Sequence, residues 1–185
     1  MVQSRGLGDV YKRQMFDDFK IDEVYALHNW PELPLGTFGV NSGPMMAAVD
    51  EFDITVKGKG GHAASPHLAI DPVVISAQVI SAVQTIISRS TDPVDKALIS
   101  ITKINAGTAY NVIDDQVKMG GTIRTFRRET RAYIEKRLNE LCKGIADAHG
   151  AEIKIEFDLV NKYPPTINSK EETKFAANVA KDLVG

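Results

Sequence analysis

Apolar and polar positions alternate, cluster and pause along this chain in a pattern that marks out its elements. Across Ala48–Lys57, Val49, Phe52, Ile54 and Val56 fall in near alternation with polar residues, the period of a strand with one solvated face. Residues 58–61 interrupt that run as a Gly-rich turn. Ile70 is followed by Asp71, placed to cap a helix, and by Pro72, a first-turn proline; the helix is expected to reach about Arg89, where Thr91, Asp92 and Pro93 stop it. Its apolar residues Val73, Val74, Ile75, Val79, Ile80, Val83, Ile86 and Ile87 cover more surface than one core-facing stripe requires. Two covers fit the surplus, a second subunit or a loop. Alternation returns at residues 97–104 through Leu98, Ser100, Ile101, Thr102 and Ile104, and residues 116–126 are rich in strand formers. Residues 129–148 carry Ile134, Leu138, Leu141, Ile145 and Ala148 at helical spacing, with Gly150 as the stop. Ile153, Ile155 and Phe157 then alternate with Lys154 and Glu156 in a last strand that ends before Pro164 and Pro165.

From 48 to 159 the order is therefore strand, helix, strand, strand, helix, strand. It predicts an α+β fold: a βαββαβ two-layer sandwich with an antiparallel four-stranded sheet and two helices, in the split βαβ arrangement. The flanks read differently. Residues 21–27, IDEVYAL, end apolar and predict a buried strand that delivers His28 at its C-terminal end. The Pro- and Gly-rich run after it predicts a loop leading to a boundary near Gly43 and Pro44. Residues 168–185 predict a helix capped at Asn168 or Ser169, with Phe175, Val179 and Leu183 on one side. That apolar face needs another surface, which we read as a sign that the chain is truncated here. Residues 1–14, MVQSRGLGDVYKRQ, have no period and read as non-native adapter sequence, with a genuine terminal segment as the alternative.

Composition narrows the class without naming it. At 43% hydrophobic and 25% charged, with 185 residues, the chain has the make-up of a globular protein of one to one and a half domains. No uninterrupted apolar run approaches the ~18 residues that would span a bilayer, so a membrane partner is not expected. A net charge of −2 leaves no basic field for phosphates, and the cluster of Arg124, Arg127, Arg128 and Arg131 is diluted by Glu129, so nucleic acid is not expected either. The single cysteine, Cys142, excludes an internal disulfide, and the chain start lacks a signal-peptide core; the expected address is the cytoplasm.

Candidate chemistry rests on few residues. His149 ends a helix beside Gly150, where an imidazolium complements the dipole, and is assigned to structure or solvent. His28, at a strand end beside a Pro-rich loop, is placed to be a metal ligand, although it is a single histidine and a metal site needs three or four converging donors. In KGKGGHAASPH, residues 57–67, the glycines allow tight turns and close approach to a ligand, with His62 directly after them. A functional loop and a plain strand-to-helix turn both fit; a phosphate loop does not, for lack of a Gly-Lys-Ser/Thr ending. Arg124 with Asn111 could grip a carboxylate, or Arg124 could be a sheet charge paired with Asp114 or Asp115.

Taken together, ALHNWPELPLG, GKGGHAASPH, NAGTAYNVI and GGTIRTF occur in an order that resembles the metal-dependent aminoacylase, hippurate hydrolase and auxin-conjugate amidohydrolase family. The resemblance runs from Met15 to Gly185. It implies a catalytic domain with two zinc or manganese ions and an inserted lid that pairs in a homodimer. On that pattern residues 15–46 are a piece of the catalytic domain, 47–160 the lid, and 161–185 the start of the returning catalytic segment. The resemblance makes His28 a terminal metal ligand and His62 the lid histidine that stabilises the oxyanion in the partner's site. Asn111 and Arg124 match positions that hold the substrate carboxylate, and His67 stays structural. The implied reaction is metal-assisted attack of water on the amide of an N-acyl or N-aroyl amino acid, with a glutamate as general base. The family's Cys-Gly-His motif and glutamate pair belong before His28, and its last histidine ligand belongs well after Gly185. Cys142 cannot replace the first, so this chain by itself is not expected to assemble the dinuclear site. A related di- or carboxypeptidase, and a stand-alone binding or dimerisation module, are the alternatives.

Overall fold

A computed structural model describes residues 18–158 and 163–184, and its backbone separates into a unit spanning Pro44–Ile167 and a second built from the described residues on either side of it. The expectations for residues 1–14 and for Gly185 lie outside the described residues.

The larger unit is the expected α+β sandwich. Its four main strands are β2 (Ala48–Lys57), β4 (Ala97–Asn105), β6 (Gln116–Thr125) and β7 (Glu152–Phe157), ordered β4-β6-β2-β7 with every pairing antiparallel. Strands β2 and β4 are joined by helix α1 (Pro72–Ser90), and β6 and β7 by α2 (Arg128–His149). Each crossover skips one strand, which is the split βαβ arrangement.

Local chemistry explains the element ends. The Asp71 carboxylate accepts from the amides of Val73 (2.8 Å) and Val74 (3.3 Å), satisfying two of the unpaired donors that open a helix. Gly150, at φ 65°, adopts the left-handed conformation that closes α2. The helices bury Ile75, Val79, Val83 and Ile86 from α1 and Ile134, Leu138 and Cys142 from α2. These meet Phe52, Ile54 and Val56 of β2 and Val117, Met119 and Ile123 of β6. Burying a large aliphatic side chain contributes about 1.5–3 kcal/mol, so this shared core carries the unit. Helix α1 is long and apolar enough to cross a membrane by length and composition, but this buried stripe is committed to the sheet.

The surplus apolar residues of α1 have a cover that the sequence did not suggest. Ile80 and Ile87 pack against the same core, which leaves Val73 and Val74 as the exposed pair in the first turn.

Two short ribbons were not predicted. Strand β1 (Gly43–Met46) pairs with β8 (Thr166–Asn168), so the chain enters and leaves the larger unit side by side. Strand β3 (Gly61–His62) pairs with β5 (Val112–Ile113).

In the other unit, α3 (Lys170–Val184) forms where capping predicted it, and Phe175 packs against Tyr25 at 6.0 Å between ring centroids. Residues 21–27 are not the buried strand that IDEVYAL suggested; Val24 and Leu27 are exposed and the backbone is irregular. A strand exists only through a paired neighbour, and none of the described residues pairs with this run.

Candidate functional site

The loop that carries His62 is fastened at its base. Lys59 and Ile70 exchange reciprocal backbone hydrogen bonds, both 2.9 Å, where the chain leaves β2 and again before it enters α1. Gly58 makes this approach possible, since a Cβ there would lie 2.0 Å from the Ile70 carbonyl oxygen. A Cβ on Gly60 would lie 3.0 Å from the Ile113 oxygen. The glycines of the motif therefore serve contact of backbone with backbone, and neither has a positive φ.

Within this frame β3 and β5 place His62 opposite Val112, and the Ala63 amide donates to the Asn111 carbonyl at 3.0 Å. His62 and Asn111 are thus brought together on adjoining segments. The Thr108 hydroxyl donates to Asp114 at 2.8 Å and braces the loop that carries Asn111.

The ring of His62 is also oriented. Its Nδ1 accepts from the Ala64 amide at 3.1 Å. An N–H aimed at Nδ1 requires a lone pair there, which puts the proton of the neutral ring on Nε2. That N–H belongs to an exposed residue. Ala64 was not singled out from the sequence, because nothing in its identity signals a backbone contact.

Arg124 lies elsewhere. It sits near the far end of β6, opposite Val49 on β2 and Leu98 on β4, whereas Gln116 marks the end next to Asn111. Eight residues of strand separate Gln116 from Arg124, roughly 26 Å at ~3.3 Å per residue. Its Nη1 donates to the Thr122 hydroxyl and to the Ile123 carbonyl (3.1 Å). Of Asp114 and Asp115, the two carboxylates weighed as its partner, Asp114 accepts from Thr108. Among the described residues no carboxylate forms an ion pair with Arg124.

His28, in the other unit, makes a 2.6 Å hydrogen bond from Nδ1 to the Asn29 carbonyl, with the Trp30 ring 6.0 Å away. A carbonyl only accepts, so Nδ1 carries the proton and the Nε2 lone pair is left for a ligand; metal-binding histidines are held in this way. The described residues nevertheless bring no three His, Cys, Asp or Glu side chains together as a metal centre. They fit one ligand, not a complete donor set.

Cys142 is buried in α2, and burial pushes its thiol up to about 12, so it is a core residue without thiolate character. His149 bonds Gln78 at 2.8 Å and ties α2 to α1. His67 lies exposed in the short 3-10 turn Pro66–Leu68.

One polar cluster was not foreseen. Asp95 accepts from the Thr130 hydroxyl (2.7 Å) and from Arg127 (3.0 Å) at the start of α2, and these bonds, the hydroxyl first, hold its carboxyl below its usual range. The cluster lines a cleft with Thr91, Asp92 and Tyr133. Asp95 lies more than 30 residues from both Arg127 and Thr130, out of reach of any sequence motif.

Comparison with known proteins gives these features a family setting. The family model for the peptidase dimerisation domain matches residues 49–150. The chain is 43% identical over 137 residues to N-acetylcysteine deacetylase of Bacillus subtilis, covering 74% of this chain and 36% of that protein. It is 40% identical over 171 residues to hippurate hydrolase of Campylobacter jejuni, covering 92% and 44%. Among solved structures, a Bacillus subtilis protein described as a dinuclear metal binding peptidase from the M20 family superposes with a TM-score of 0.64 at 34% identity, covering 92% of this chain and 42% of that one. The chain therefore spans about two fifths of the length of the relatives it matches.

Proposed function

The chain belongs to the M20 peptidase dimerisation domain family, and from that premise we propose that the whole protein is a metal-dependent amidohydrolase, cleaving N-acyl or N-aroyl amino acids as a homodimer. The observation that carries this reading is the His62 loop. An exposed imidazole whose Nδ1 accepts from the Ala64 amide, leaving the N–H on Nε2, suits a group that stabilises negative charge on an amide oxygen. Asn111 beside it adds an amide donor, and Arg124 a guanidinium that matches a carboxylate. The relatives support the substrate class, since their names describe deacetylation of N-acetylcysteine and hydrolysis of hippurate.

In this account water adds to the acyl carbon, the C–N bond breaks, and the departing nitrogen leaves as the amine of a free amino acid. Two divalent ions, zinc or manganese, would supply carbonyl polarisation and a nucleophilic water when bound. His28 is oriented to be one ligand through Nε2, and the whole protein would need donors beyond it. The 185-residue chain is accordingly expected to lack hydrolytic activity by itself.

The test is a panel of N-acetyl, N-benzoyl and indole-acetyl amino acids incubated with the purified whole protein. Release of free amino acid, abolished by a chelator and restored by zinc or manganese, is expected. Turnover confined to dipeptides with a free amine would point to the peptidase reading, and no turnover at all to a binding module. Hydrolysis by the 185-residue chain alone would contradict the expectation for that chain.

A further inference from the structure

We propose that Tyr110 selects the acyl group: its ring packs against an aromatic acyl group and raises the efficiency of the whole protein on N-aroyl relative to N-acetyl amino acids. The inference rests on the functional reading above and adds the residue that sets substrate preference. It begins from a side chain that the fold leaves uncovered. Tyr110 is exposed over its whole surface (108%), whereas Tyr133 and Tyr163 in the same unit are 38% and 44% exposed. A single exposed apolar side chain is ordinary on a protein surface. What sets Tyr110 apart is the frame that holds it.

The Val112 amide donates to the Ala109 carbonyl at 3.3 Å and closes a turn whose two corner residues are Tyr110 and Asn111. On the entry side of that turn the Thr108 hydroxyl is tied to Asp114, and Gly107 takes the left-handed conformation at φ 82°. On the exit side the Ala63 amide donates to the Asn111 carbonyl, and β5 pairs with β3. Three hydrogen bonds and a two-stranded ribbon thus fix the backbone under the ring. A tyrosine presented in this way offers a large flat contact with only two side-chain torsions to immobilise. It has an apolar neighbour in Val112, which is exposed as well and lies opposite His62. Apolar surface beside a small number of polar donors is the make-up of a small-molecule site.

Substrate chemistry identifies which part the ring meets. The functional reading makes His62, on the adjoining strand, the donor to the amide oxygen. The acyl group is bonded directly to the carbon that carries that oxygen, whereas the amino-acid side chain is reached only through the nitrogen and the α-carbon. The acyl group therefore lies nearer the loop that holds Tyr110. A benzoyl group puts a flat ring there, and acetyl puts a methyl. Two aromatic rings packed offset or edge-on attract each other beyond the area they bury.

The test measures kcat/KM of the whole protein on the N-acetyl and N-benzoyl derivatives of alanine and of phenylalanine. Tyr110→Ala should lose about tenfold more on the benzoyl than on the acetyl substrates, a ratio equivalent to ~1.4 kcal/mol and within the range of one aromatic pair. Tyr110→Phe keeps the ring and should retain the wild-type ratio. Because the side chain is solvated, both variants should match wild type in circular dichroism and melting temperature. An equal loss on acetyl and benzoyl substrates, no loss on either, or a Tyr110→Phe protein as impaired as Tyr110→Ala overturns the assignment. A preference that shifts between alanine and phenylalanine at constant acyl group overturns it too, by placing the ring against the amino acid. Equal losses with weakened self-association in sedimentation overturn it by placing the ring in a subunit contact. Wild-type turnover is scored first: release of amino acid from none of these substrates refutes the functional reading, whereas an active wild type with an unaltered ratio in Tyr110→Ala refutes only the role of Tyr110.

Discussion

The orientation of one imidazole decides what the His62 loop can do. The Ala64 amide occupies Nδ1, so the ring should exist as a single Nε2–H tautomer. In uniformly labelled protein, nitrogen NMR should detect a coupling through the hydrogen bond between the Ala64 amide and His62 Nδ1. A ring that averages between tautomers without that coupling would contradict the assignment. Gly58 sets the loop's position for a different reason. Its missing Cβ leaves room for the Ile70 carbonyl, which an added methyl would meet at 2.0 Å. Gly58→Ala should shift the loop base and lower the activity of the whole protein, with a smaller effect on the melting temperature than a core truncation such as Ile54→Ala, at about 2–5 kcal/mol. His62 was legible as a residue to watch because glycines precede it. The reason for those glycines was not, since it depends on Ile70 and Ile113, which reach the loop only through folding.

At the scale of elements, the long strands and helices of the larger unit were readable because each carries several turns or pleats of pattern. Asp71 and Pro72 announced α1, and Gly150 closed α2. Strands β3 and β5, two residues each, are too short to carry a period and emerge only from their pairing. The run at residues 21–27 shows the converse: an apolar pattern without a paired neighbour does not become a strand. Ion pairs between elements were equally hidden. Asp50 on β2 is buried against Arg131 on α2, so Arg131→Ala would leave a carboxylate in the core without that counter-charge. The cost should be about 3–5 kcal/mol in urea unfolding. The Asp95 cluster predicts a pH signature. Its folded carboxyl lies below the unfolded value of about 4, so its stabilising contribution is complete above that pH and fades as the pH falls through the folded value. Asp95→Ala should lower the melting temperature at neutral pH, and the gap from wild type should close in acid.

Over the whole molecule, four motifs in a fixed order pointed to the family long before any one of them was diagnostic, and the match over residues 49–150 agrees with that reading. Spatial grouping was less accessible. Thirteen positions separate Asn111 from Arg124, close enough in sequence to suggest one carboxylate grip, yet a strand running straight between them carries them to opposite poles. His28 lies in the other unit, and what it ligates depends on groups that the described residues do not bring together. The central claim is that this lid contributes directly to amide hydrolysis through His62. Its most direct test is kcat of the whole protein on an N-acyl amino acid, wild type against His62→Ala, with metal content measured in both. The account predicts a fall in kcat of about 10² to 10³ at unchanged metal content; a His62→Ala protein that turns over at the wild-type rate would contradict it.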